Sequence, residues 1–440
     1  MDPAVLLLLL VASALLGVLL GTITGLVPGF HPNNVAVILL VLTPAILAEP
    51  RTFCAALPFD TLLLLVAAVI LAASVAHTFL NFIPAAFFGA PEGETALALL
   101  PAHRLLLEGR AYEATVLSAR GSFGAIIFSF IFIIPFFILF STLHFYELIQ
   151  SLMLYLLFGI STLLVLTESF NERMPSSQAV FLAAFVFLLA GIFGCVVLDM
   201  PVHTPFLFSS TMLFPALTGL FGLSTICYSL LHTPEIPEQT IEEPETENAE
   251  VIKSVLSGSI FGTLVSFLPG ITSAHATVMA MLTRRNRDPE QVIVTLSGVN
   301  TANVVFCLET LFLISRARSG TTIALSRLLN IQPWEGGALP PSLLLYLLMV
   351  VLVAAPCSYF ITNYLGRQFA LRFSQLPYRT LLIMIALFLI ALVLLFTGLM
   401  GLLVLIVGTY IGLIPICFGV KRSNAMGVLL LPILVILWHM

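Results

Sequence analysis

Charge is the scarcest feature of this sequence. Asp, Glu, Lys and Arg make up 9% of its 440 residues, against about 25% in soluble globular domains. Its 17 Lys and Arg residues are too few and too scattered for the basic surface that nucleic acid requires. Metalloprotease, serine-hydrolase and P-loop signatures are all missing, so zinc, acyl-enzyme and nucleotide chemistry have no recognisable carrier. The six cysteines, at 54, 195, 227, 307, 357 and 417, lie singly in apolar stretches. Without paired spacing they point to neither a disulfide framework nor a metal site, and they read as small buried hydrophobes. No cofactor is indicated, and a membrane-embedded lipid enzyme would lack both a nucleophile and a metal set.

Apolar chain is what the sequence has in abundance. Hydrophobic residues make up 60%, and runs long enough to cross a bilayer recur from end to end. In order they predict spans at about 4–27, 55–83, 121–140, 145–167, 178–198 and 206–231. A second series follows at about 251–268, 291–315, 341–363, 378–396, 398–418 and 426–438. The fold class is an all-α polytopic membrane protein with roughly 10–14 membrane segments, multi-pass in the cytoplasmic membrane and in contact with its lipid. Met1-Asp2-Pro3 lacks the basic start of a signal peptide, so the first apolar run is expected to remain as a span. Lys and Arg occur in several loops, which leaves the sidedness of the termini open.

One pattern occurs twice. Gly21 and Gly262 are each followed, seven residues later, by Pro-Gly: Pro28-Gly29 and Pro269-Gly270. Both pairs of positions are 241 apart (269 − 28 and 262 − 21). Proline removes a helix hydrogen bond and glycine frees the backbone, so each copy predicts a helix broken or re-entrant at membrane depth. Between the copies, His232 to Glu250 holds seven glutamates, no Lys or Arg, and Pro234, Pro237 and Pro244. Such a stretch has too little apolar surface to order itself and reads as an acidic flexible linker. The expected organisation is therefore a first transmembrane half over 1–231, the linker over 232–250, and a second half over 251–440. Paired interrupted segments in two halves point to a transporter binding site, and in such folds the repeats are commonly inverted.

A half-helix starting after each break presents backbone N–H groups with no intrahelical partner and a partial positive charge. Pro28, Gly29, His31, Asn33 and Asn34 at the first break, with Pro269, Gly270, Thr272, Ser273 and His275 at the second, form the candidate substrate site. Two positive helix ends converging near the midplane would favour a small anion, carboxylate or phosphate. For a single kink the simpler reading is a bent helix whose freed groups are repaired by Ser, Thr and Asn; the matched pair favours a site. Ionisable and amide side chains inside spans supply the ion-coupling candidates: Asp60, His77, Asn81, Asn300, Asn303 and Glu309. His31 and His275 suit either a proton site or a hydrogen-bonded place near the headgroups.

Three stretches carry a resemblance to the large membrane subunit of tripartite tricarboxylate transporters, the TctA-type permease family. Gly25-Leu26-Val27-Pro28-Gly29 looks like the family's first break. Asn81-Phe82-Ile83-Pro84 through Gly93-Glu94-Thr95-Ala96, followed by Gly109-Arg110-Ala111-Tyr112-Glu113-Ala114, is similar to its next segment and turn. Leu268-Pro269-Gly270, with the basic turn Arg284-Arg285-Asn286-Arg287 and Asp288-Pro289-Glu290, resembles the second-half signature. The chain departs from the pattern at Ala85, where the family has glycine, at Ser315-Arg316-Ala317-Arg318, and in the spread asparagines Asn300 and Asn303. It therefore resembles a divergent, archaeal-type branch.

The resemblance implies a permease for a carboxylate coupled to Na⁺ or H⁺, with a small membrane subunit and an extracytoplasmic binding protein as partners. A homo-oligomer is compatible with it. The same helix ends would also suit a translocase for a polyprenyl-phosphate lipid carrier, which a lateral opening and Arg316 or Arg318 near the breaks would favour.

Overall fold

The computed structural model describes residues 2–27, 36, 39–40, 43, 57–88, 99–141, 145–170, 174–198, 200–201, 212–232, 237–267, 273–283, 288–334, 339–373 and 378–439. Among them there is helix and no strand. Eleven helices are long and apolar enough to cross a membrane.

Local chemistry sets the helix ends. Helix α1 (Pro3–Leu26) starts with proline in its first turn and with the Asp2 carboxylate accepting from the Ala4 N–H at 3.0 Å. It stops at Val27, whose extended backbone (φ −102°, ψ 103°) is what a following proline imposes. Next come α2 (Phe59–Leu80), the short α3 (Phe82–Phe88), α4 (Leu99–Leu107) and the long α5 (Ala111–Ser141). Helices α6 (Phe145–Leu166) and α7 (Ser176–Val197) precede α8 (Leu213–Leu217), which runs through a π-helical turn, Thr218–Leu223, into α9 (Ser224–His232). The buried Arg422 guanidinium donates to the Leu220 and Phe221 carbonyls of that turn and to the Ser224 and Thr225 hydroxyls. It serves acceptors that the wider π turn leaves short of donors.

The second series is α10 (Asn248–Phe267), α11 (Ser273–Thr283), α12 (Pro289–Leu313), α13 (Gly320–Leu328), α14 (Ser342–Phe373), α15 (Tyr378–Phe418) and α16 (Gly427–His439). Helix α13 opens with a reciprocal cap between Ser319 and Thr322. At 41 residues α15 would be about 61 Å long if straight, twice the roughly 30 Å hydrocarbon core. It bends at Gly398 (φ 65°, ψ −161°), a conformation that favours glycine. Leu392 and Leu405 consequently pack in one cluster with Phe214. The spans expected at 378–396 and 398–418 are the two arms of this bend.

The sequence repeat is also a packing repeat. Gly17, Gly21 and Gly25, four residues apart on α1, lie against α2; Gly258 and Gly262 on α10 lie against α12. A Cβ on Gly17 or Gly21 would come under 3.0 Å from the carbonyl oxygen of Val69 or Ala73. On Gly258 or Gly262 it would meet that of Thr295 or Val299 in the same way. The glycines are offset by 241 residues (258 − 17 and 262 − 21) and their partners by 226 (295 − 69 and 299 − 73), so the same close crossing is built twice. Small residues at such spacing let membrane helices approach to backbone contact.

The two sequence halves interlock. Helix α5 of the first lies against α12 of the second, where Ser118 and Ser297 hydroxyls meet at 2.8 Å, and Thr301 of α12 donates to Thr78 of α2 at 3.0 Å. The largest apolar cluster draws on α1, α2, α5, α12 and α14 together. A second, joining α7, α8, the later arm of α15 and α16, gathers Ala190, Leu220, Val404 and Val428.

The acidic stretch between the halves, expected from composition to be a free tether, makes defined contacts where it is described. Gln239 accepts from the Ala111 N–H at 3.1 Å and donates to the Leu106 carbonyl at 3.1 Å. The Thr240 N–H donates to the Gly109 carbonyl at 2.8 Å. Arg120 donates to Glu243 at 2.7 Å, and Thr246 to Glu290 at 3.1 Å.

Candidate functional site

Polar side chains collect where the C-terminal part of α2 meets α1, α12 and α13. His77 is fully buried, with Nδ1 3.2 Å from the Thr24 hydroxyl of α1. One turn further, Asn81 closes α2 and lies against Gly25, three residues ahead of Pro28. Asn81 is 2% exposed, and among the described residues neither its amide nitrogen nor its oxygen has a hydrogen-bond partner. Above it, Ser74 accepts from Thr321 at 3.2 Å and Thr78 from Thr301 at 3.0 Å. These bonds tie α2 to the N-terminal turn of α13 and to α12.

The second break is lined from the other side. Asn303 on α12 donates to the hydroxyl of Ser273, the buried first residue of α11, at 3.2 Å. Cys307, one turn on, contacts the Ser266 carbonyl at 3.7 Å and the Asn303 side-chain oxygen at 3.6 Å. The Arg318 guanidinium donates to the Phe267 carbonyl at the end of α10, two residues before Pro269. A cation therefore stands at the C-terminal end of α10. By the 226-residue offset between the partner helices, Asn303 and Cys307 occupy the places of His77 and Asn81.

Asn300 is 1% exposed and Glu309 fully buried, and among the described residues the Asn300 side-chain oxygen and both Glu309 carboxylate oxygens have no hydrogen-bond partner. An unpaired buried carboxyl is costly unless a proton or cation neutralises it. Glu309 is nine residues beyond Asn300, half a turn out of phase at about 100° per residue, so the two point to opposite faces of α12. Asp60 is exposed in the first turn of α2, about 25 Å along the helix from His77 at 1.5 Å per residue. The structure thus places His77 and Asn81 of α2 against α1, places Asn303 of α12 against Ser273 of α11, and sets Asp60 apart at the far end of α2. Pro28, Gly29, His31, Asn33, Asn34, Pro269, Gly270 and Thr272 lie outside the described residues; His275 falls in the first turn of α11. Residues 36, 39, 40 and 43 are helical, so helix is present again after the first break.

The hydroxyls of Thr24, Ser74, Thr78, Thr301 and Thr321 were not legible as site residues, because single Ser and Thr residues blend into an apolar helix. Their spacing was a usable signal: Ser74 and Thr78 are four apart on one face. Among the described residues no three His, Cys, Asp or Glu side chains group as a metal site.

Helices long and apolar enough to cross a membrane, eleven of them among the described residues, define a multi-pass membrane protein. The chain belongs to the tripartite tricarboxylate transporter TctA family, whose model matches residues 11–427. It is 32% identical over 316 residues to an uncharacterized protein of Methanocaldococcus jannaschii, covering 72% of each chain. No solved structure matches.

Proposed function

We propose that this protein is the permease of an ion-coupled secondary transporter that carries an organic anion, a carboxylate, across the cytoplasmic membrane. In this reading the two halves are inverted repeats, and the helix starts after Pro28-Gly29 and Pro269-Gly270 are half-helix N-termini that hold the anion. His31, Asn33 and Asn34 on one side, and Thr272, Ser273 and His275 on the other, contact it. Arg318 adds a positive charge at the second break. Asn81, Asn300 and Asn303 offer oxygens to Na⁺, while Glu309 or His77 offers a proton site; Asp60, at a helix end, serves ion entry. A small membrane subunit and an extracytoplasmic binding protein complete the system, as the tripartite family name implies. The carrier performs no chemistry on its cargo.

The observation that carries this reading is the burial of Asn81, Asn300 and Glu309, without partners for these groups among the described residues, on or at the end of largely apolar helices. Membrane proteins tolerate such groups at substrate and ion pathways. The test is uptake of labelled di- and tricarboxylates into proteoliposomes under imposed Na⁺ or H⁺ gradients. One gradient should drive accumulation, and Glu309→Gln, which keeps the shape and removes the ionisable group, should abolish that drive while the protein still folds. Absence of transport for every carboxylate under either gradient would overturn the proposal.

The position of Arg318 at the C-terminal end of α10 also suits a phosphate. A translocase for a polyprenyl-phosphate carrier is the second reading, and the same vesicles discriminate: a labelled lipid phosphate would equilibrate between leaflets with no dependence on carboxylate.

A further inference from the structure

An apolar groove of about 580 Å³ lies between α5, α10 and α14. Its walls are Phe123, Ile127, Ile131, Val255 and Leu256, with Pro356 and Phe360 opposite. The groove opens sideways to the bilayer: Ile131 is 63% exposed and Phe360 70%. Its floor is kept low by Gly124, where a Cβ would meet the Val255 methyls at 2.8 Å.

One end of this trough is cationic. Arg120 lines it and uses a single N–H, at 2.7 Å, on the exposed Glu243 of the inter-half segment. The remaining guanidinium donors have no partner among the described residues. Arg367 is exposed on α14 beside Gly366, which packs against Thr115 of α5 a little over one turn from Arg120. Arg367 follows Gly366 and Arg120 lies one helix turn and a little more beyond Thr115, so the two stand towards the same end of the groove. Val251 and Ile252, in the first turn of α10 just after the polar segment, mark this end as the membrane surface.

We infer that this groove is a fixed site for one anionic glycerophospholipid from the surrounding bilayer. Its phosphate sits on Arg120 and Arg367, and one acyl chain runs down the wall past Ile127 and Ile131. A guanidinium with free coplanar donors is the group that recognises a phosphate, and an apolar trough open only to lipid has no other occupant of matching chemistry. Because α5 belongs to the first half and α10 and α14 to the second, the lipid bridges the halves.

The experiment uses the full chain in neutral detergent, titrated with phosphatidylglycerol or phosphatidylcholine. Retained lipid is read by native mass spectrometry and by the thermal midpoint. Phosphatidylglycerol should be retained and should raise the midpoint, whereas phosphatidylcholine should wash away. Arg120→Gln and Arg367→Gln should each weaken phosphatidylglycerol about fivefold, the worth of one basic residue at an anionic surface. Glu243→Gln breaks the same ion pair as Arg120→Gln yet should leave retention unchanged or tighter. Ile131→Trp should expel the lipid with both arginines intact. Equal retention of the two lipids, or full retention by the Arg367→Gln protein, which loses no hydrogen bond or ion pair among the described residues, would overturn the inference.

Discussion

A histidine on the short helix α4 carries the fold's clearest pH dependence. His103 on α4 has its imidazole lowered from the usual 6.5 to about 4, first by burial and then by the positive charge of Arg422. Arg422 is committed elsewhere, on the π turn, and no acidic side chain makes an ion pair with it among the described residues. An imidazole lowered on folding binds its proton less well folded than unfolded, so its neutral state stabilises the fold fully above about pH 6.5. That contribution is lost as pH falls from 6.5 towards 4, because protonation would set two positive charges close together. Thermal midpoints in detergent between pH 7.5 and 4.5 should therefore fall on acidification. His103→Gln should flatten that slope while leaving the value at pH 7.5 nearly unchanged; an unaltered slope would show that other groups dominate it.

At the scale of elements, the glycine-lined crossings are where a small change has the largest effect. Gly21 faces the Ala73 carbonyl and Gly262 the Val299 carbonyl, both backbone atoms that cannot swing aside. Gly21→Val and Gly262→Val should each separate a helix pair and cost about 1–3 kcal/mol as overpacking, seen as lower thermal midpoints. Gly159, in α6, has nothing within 4 Å of the place a methyl group would take, and Gly159→Ala should be neutral or mildly stabilising. These crossings also show what was legible in the sequence. Apolar length placed the helices, and the prolyl-glycyl repeat pointed to a second copy, but the four-residue glycine spacing that creates the crossings was visible and unread. Boundaries slipped where charge was paired: α5 starts at Ala111 rather than near 121, because Glu113 is held by Arg110 at 2.6 Å and does not interrupt the helix. Helix α14 runs to Phe373 rather than 363, with Arg367 and Arg372 on its late turns, where long basic chains can reach the membrane surface. Hydropathy averages cannot see such pairings, and they cannot see which Ser and Thr side chains meet across helices.

For the whole molecule the decisive junction is the one composition described least well. Residues 237–247 look like a solvated acidic tether, yet Gln239 and Thr240 hook onto the turn at Leu106–Gly109. Beside them Arg110 grips both Glu113 of the first half and Glu290 of the second. Gly109 takes a left-handed conformation (φ 79°) where a side chain would meet the Glu238 carbonyl at 2.9 Å. Hydrogen bonding to Glu113 first, and to Glu290 after it, holds the Arg110 charge even more firmly than usual. The side chain is about one third exposed, so solvent screening limits the worth of the pairs to about 1–2 kcal/mol. If transport requires the halves to move against each other, this clamp sets the balance between their arrangements. Arg110→Gln should then lower the thermal midpoint modestly, speed cleavage of the 237–247 segment by a glutamate-specific protease, and change the uptake rate more than the substrate concentration for half-maximal uptake. Glu113→Gln should be milder, because the Arg110–Glu290 bridge survives. Were both variants cleaved at the wild-type rate, the clamp between halves would have no mechanical role, and the segment would be held by Gln239 and Thr240 alone.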